Sequence, residues 1–151
     1  MKKFIIAAAL VLGFAVAASA QPKALGLRLG YGAELSYQHN LGDYNFIEAD
    51  LGLGDFAYLN LAGTYNFMIA KPQWTDSGEW GFYAGPGVAL GVGQGIFNLG
   101  IAGQVGLEYT FDFPLQLSVD IRPQIGLVSV AKVNKFGIWG WYPHISARYA
   151  F

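Results

Sequence analysis

The chain has 151 residues, a net charge of −1 at pH 7 and no cysteine, which excludes disulfides, thiolate metal sites and a lipid-anchored cysteine. Apolar residues make up 54% and aromatics 16%, and so balanced a charge offers no basic patch for nucleic acid. After residue 20, no stretch approaches the roughly 20 apolar residues that a membrane helix needs.

The first segment reads as an export signal. Lys2 and Lys3 form a basic start, Phe4 to Val16 an apolar core, and Ala18-Ser19-Ala20 a small-residue cleavage site. Residues 1–20 are therefore expected to be a signal peptide and residues 21–151 a single domain. Removing Lys2 and Lys3 takes the net charge to −3.

The domain alternates with the period of two that marks extended strands. From Ala24 to Asn40, Leu25, Leu27, Leu29, Tyr31, Ala33, Leu35 and Tyr37 share one face, and Arg28, Glu34, Ser36 and Gln38 the other. This run is either two short strands turning at Gly30-Tyr31-Gly32 or one long strand. After turn residues 39–43, Asn45 to Leu53 sets Ile47, Ala49, Leu51 and Leu53 against Glu48 and Asp50, with Phe46 out of place on the polar side. Tyr58 to Phe67 follows the same pattern beyond Asp55, and residues 70–78 form a connection.

Glu79–Gly91 and Phe97–Tyr109 pair about a turn at Gly93-Gln94-Gly95. Pro114–Arg122 sets Leu115, Leu117, Val119 and Ile121 against Gln116, Ser118 and Asp120. Pro123 to Trp141 breaks the rhythm and is expected to be a long loop carrying Lys132, Lys135, Trp139 and Trp141; the alternative makes Gln124 to Val133 a strand. Tyr142–Phe151 closes the chain. With Ala24–Gly30 and Ala33–His39 counted separately, the total is eight, the even number that puts both termini on one side of a membrane.

Charge placement decides which face is inside. All three arginines and five of the ten acids sit on the polar side of strands, whereas all six lysines fall outside them. A solvated face would mix in lysine; arginine facing carboxylate among glycines suits bidentate pairing in a confined space. The opposite face carries no charge. The pattern predicts an all-β, eight-stranded antiparallel up-and-down transmembrane barrel, apolar outside. An interior polar network is expected from Arg28, Glu34, Glu48, Asp50, Glu108, Asp120, Arg122 and Arg148. Aromatics gather at strand ends: Tyr37, Phe67, Trp80, Tyr109, Phe111, Phe113, Tyr149 and Phe151 would form one interfacial girdle, and Tyr58, Phe97, Trp139 and Trp141 the other.

Four pieces carry a family resemblance: Gly106-Leu107-Glu108-Tyr109, Pro114-Leu115, Asp120-Ile121-Arg122-Pro123 and Arg148-Tyr149-Ala150-Phe151. Through them the chain resembles the small outer-membrane β-barrel proteins common in Bacteroidetes-type bacteria, similar in architecture to OmpA/OmpX-type eight-stranded barrels. The resemblance implies an outer-membrane location, and a terminal strand whose Tyr149 and Phe151 form the signal read by the barrel-assembly machinery. It carries no catalytic residues.

Chemistry is sparse. His144 and Ser146 on one strand do not make a triad, which needs a nucleophile within reach of an oriented base. His39 and His144 lack metal-ligand spacing, and Gly91 to Gly95 precedes no helix that would hold a phosphate. No catalytic, cofactor-binding or metal-binding residue is expected. The sequence points to a monomeric outer-membrane barrel with a structural or interaction role at the cell envelope. Its partners would be lipid and the assembly machinery, not nucleic acid. The alternatives are a lipid-modifying enzyme of the same fold and a soluble periplasmic lipid-binding barrel.

Overall fold

The computed structural model describes residues 23–42, 44–54, 58–93, 95–130 and 132–151. The expected signal peptide, residues 1–20, lies outside them, as do Asp43, Asp55 and Gln94, which the sequence assigns to turns. The described elements are strands: β1 (Lys23–Leu29), β2 (Gly32–Asn40), β3 (Asn45–Gly54), β4 (Tyr58–Ala70), β5 (Glu79–Gly93), β6 (Ile96–Thr110), β7 (Leu115–Ile121), β8 (Gln124–Val130), β9 (Val133–Trp139) and β10 (Pro143–Ala150). No described helix is long and apolar enough to cross a membrane.

The sheet closes on itself. Strands β1 to β6 pair each with the next, β6 pairs with β7, β7 with β10, and β10 with β1, all antiparallel. The result is an eight-stranded closed antiparallel β-barrel. Strands β7 and β8 both lie against β6, on Val105–Thr110 and Ile96–Ala102 respectively, and so form one wall strand interrupted at Arg122-Pro123. Pro123 has no N–H to give to the ladder, but its carbonyl still accepts a hydrogen bond from the Gly103 N–H at 2.9 Å. Strands β9 and β10 form the neighbouring wall strand, broken at Gly140. Its φ of 82° lies in the left-handed region, and a Cβ there would run into the Arg122 carbonyl oxygen.

Three expectations need correction. Pro123 to Trp141 is not a long loop: Val130 pairs with Val133 and Gln124 with Trp139, making a hairpin that extends the wall. Its alternation is obscured by Gly126, Gly137 and the break at Gly140. Not all lysines lie outside strands, since Lys23 begins β1 and Lys135 sits on β9. Tyr58 and Trp139 do not join an outer girdle, because both rings turn into the mouth of the barrel. Residues 24–40 form the two-strand alternative, with Leu29 facing Ala33 across the turn.

The barrel is inverted relative to a water-soluble one. Its three arginines are at most 2% exposed, while Val88, Ile101 and Ile145 on the outer wall are 61%, 66% and 63% exposed. From Ala24 onward, the described strands place no charged residue on the outward-facing positions. Apolar side chains outside and polar ones inside follow directly from the alternation, because one face of every wall strand lines the lumen.

At the end that holds Lys23 and Ala150, rings pack against one another along the outside. Trp80 lies 5.3 Å from Trp74 and 4.7 Å from Tyr109; Tyr109 lies 4.6 Å from Phe111, and Phe111 4.8 Å from Phe113. Tyr149 and Phe151 stack at 6.0 Å near the same end.

Candidate functional site

Among the described residues, charge is concentrated in the lumen, and cross-strand register sets its first contact. Arg28 of β1 stands opposite Glu34 of β2, and its Nη1 donates to Glu34 Oε2 at 2.7 Å. The remaining contacts reach across the barrel. Arg28 also pairs with Asp120 of β7. Arg122 donates to Glu34 Oε1 at 2.8 Å and to Asp50 Oδ2 at 2.5 Å. Glu34 thus bridges two guanidinium groups and accepts from Asn60 as well.

A second cluster sits nearer the termini, around Arg148. Its guanidinium lies 3.2 Å from Glu48 and donates to Ser36 Oγ at 2.9 Å and Ser118 Oγ at 2.8 Å. Glu48 also accepts from Gln38 at 2.7 Å and Gln104 at 3.0 Å, and Gln104 in turn accepts from Thr64 and Asn66. Arginine is rarely buried unless its fork is matched by acceptors, and each of these three forks has a carboxylate beside it.

Seven of the eight charged residues expected in the lumen thus form ion pairs, in two clusters. Glu108 is buried on the same face but makes none of these ion pairs, and its Oε2 has no hydrogen-bond partner. Near it Phe46 and Tyr83 pack inside the lumen, their rings meeting edge to face at 5.2 Å. This explains why Phe46 occupies a polar-side position. Gly106, directly opposite Tyr83, makes room for that ring, which a Cβ would strike.

Neither the family models nor the curated proteins compared with this chain match it. Its chemistry must therefore be argued from the lumen itself. His144 and Ser146 face inward two residues apart on β10, opposite Asp120 and Ser118 of β7. His144 Nδ1 and Ser146 Oγ each lack a hydrogen-bond partner, so no relay runs from an acid through the imidazole to the hydroxyl. No group of three or more His, Asp or Glu among the described residues is arranged to hold a metal ion. Tyr149 is well exposed on the outer face of β10, and Phe151 follows that strand.

Sequence reasoning missed the carboxamides and rings around the far mouth, Asn60, Asn98, Gln124, Tyr58 and Trp139. The signal was available for the amides, since all three fall on the polar parity of their strands. It was absent for Trp139, whose strand the glycines conceal.

Proposed function

We propose that the chain is a small integral outer-membrane β-barrel protein, exported by the secretory route and monomeric, with a structural or interaction role at the cell envelope. The observation that carries this reading is the inverted barrel, with an uncharged apolar outer wall around an arginine–carboxylate core. Such a wall in water would expose far more contiguous apolar surface than a soluble monomer tolerates. In a bilayer it meets hydrocarbon, and closure leaves no strand edge inside the membrane. The aromatic chain from Trp74 to Phe113 suits an interfacial girdle.

The reading makes the protein neither a wide pore nor an enzyme. A lumen whose middle is filled by paired charges and by Tyr83 offers a lipid chain no continuous apolar channel, which argues against a soluble lipid carrier. Unlinked His144 and Ser146 give no support to lipid hydrolysis. Fractionation of cells tests the proposal: the mature chain should sediment with the outer membrane, resist carbonate extraction and migrate faster unheated than boiled. Recovery in the soluble periplasmic fraction would refute it.

A further inference from the structure

The end of the barrel away from the termini holds a different environment from the charged lumen. A cavity of about 300 Å³ opens there above the Glu34–Arg122 ion pair, at the lower end of the size range of small-molecule sites. Four wall strands supply its polar groups: Asn60 from β4, Asn98 from β6, Gln124 from β8 and His144 from β10, each at most 9% exposed. Tyr58 of β4 and Trp139 of β9 supply rings. Three glycines make room. A Cβ at Gly54 would strike the Tyr58 ring, one at Gly30 the His144 ring, and one at Gly100 would come within 3.0 Å of the Trp139 ring.

Two features define what such a cavity accepts. Its formal charges already have counter-charges within the protein: Arg122 is held by Glu34 and Asp50, with only its Nε–H unpartnered, and Glu34 by Arg28 and Arg122. An ionic ligand would lose its hydration without gaining a counter-charge. Its neutral groups are not satisfied. Asn98 Oδ1, Gln124 Oε1 and His144 Nδ1, all on lining residues, are buried without a hydrogen-bond partner. The two amide oxygens accept, and the imidazole nitrogen does either according to its tautomer. A purely apolar ligand would leave them unpaired.

We propose that this mouth binds an uncharged pyranose sugar. Hydroxyl groups both donate and accept, which matches carboxamides and imidazole, while the C–H faces of the ring suit the flat faces of Tyr58 and Trp139. The inference does not rest on where the barrel resides. The sugar is either free or the terminal unit of a glycan, since both present the same ring.

The test uses the full mature chain refolded in detergent, its fold checked by β-sheet circular dichroism. Saturation-transfer NMR is recorded with methyl glucoside, galactoside, mannoside and N-acetylglucosaminide, and with an oligosaccharide ending in each sugar. At least one should show transfer and shift the Trp139 indole N–H resonance. Trp139→Ala and Asn98→Leu should each weaken binding at least about tenfold, and Trp141→Phe, outside the mouth, should not. Stronger binding of the methyl glycoside indicates a free sugar, and stronger binding of the oligosaccharide a glycan end; either supports the site. Absence of transfer from every pyranoside overturns the proposal. So does transfer to the wild-type chain that leaves the Trp139 resonance unmoved, a result that needs no folded variant. Displacement of the sugar by inorganic phosphate would also overturn it, because the site would then select charge.

Discussion

Arg122 Nη1 lies 2.5 Å from Asp50 Oδ2, joining the break between β7 and β8 to the middle of β3 across the lumen. The other oxygen of Asp50 has no hydrogen-bond partner, so Arg122 is the counter-charge on which this carboxylate depends. Removing one member of a buried pair strands the other at a cost of about 3–5 kcal/mol, whereas removing both costs much less. Arg122→Met should therefore destabilise the barrel by about 3–5 kcal/mol, and Arg122→Met combined with Asp50→Asn by clearly less. Urea unfolding in lipid vesicles measures both. A loss in the double variant equal to the sum of the losses from Arg122→Met and Asp50→Asn alone would show that the pair is not coupled.

The outer wall makes a separate prediction. Leu117 sits on it, between the inward-facing Gln116 and Ser118. In a bilayer, Leu117→Arg should cost roughly 2–4 kcal/mol if the position is near the midplane. On a water-exposed surface the same change usually falls within about 0.5 kcal/mol. Refolding into vesicles and comparing urea midpoints separates the two cases. Ser118→Ala provides the inward comparison. Because Ser118 Oγ accepts from Arg148 at 2.8 Å, that change should cost about 1–3 kcal/mol through an unpaired charged donor.

Much of this was legible because a barrel wall enforces strict alternation. Once Arg28, Glu34 and Asp120 fall on one parity, they must all line the lumen. Their partners were not legible. Arg28 meets Asp120 92 residues away, and only the closed sheet brings β1 and β7 near enough for that. The eight wall strands emerged from the pattern, and β8 appeared only as the alternative strand from Gln124 to Val133; β9 and the hairpin they form did not. Gly126 and Gly137 pair there and remove the side chains that would have shown a face. Phe46 and Trp139 misled for another reason. Above and below the ion pairs, the lumen accepts rings that pack on one another or on glycine, so polarity stops being a guide to facing.

Assembly gives the third prediction. Strand β10 closes the barrel against β1, with Tyr149 opposite Leu25, and Phe151 follows directly. Phe151 is half exposed and makes no described cross-strand pair, so its loss should cost the folded wall little. Deleting it should leave export unchanged while lowering the fraction inserted in the outer membrane. Heat-modifiable migration of the membrane fraction reads the difference. Full insertion of the truncated chain at the wild-type rate would remove Phe151 from any signalling role.

The last prediction concerns conduction. Eight strands enclose a lumen only wide enough for side chains, and here Arg28, Arg122, Arg148, Tyr83 and Gln104 fill it, each at most 2% exposed. Tyr83, packed against Phe46, and the two ion-pair clusters block the middle. An ion crossing the barrel would have to break those pairs without replacing its own hydration, which a low-dielectric interior makes costly. Purified protein in a planar bilayer should therefore show no large, stable conductance steps. The interior holds five acids against three arginines, so any residual leak should favour cations. Opening it should require removing both kinds of plug: Tyr83→Ala alone leaves the ion pairs intact and should not conduct. Reproducible nanosiemens-scale channels from the wild-type chain would mean that the network opens as a unit, and would place the protein among the pores.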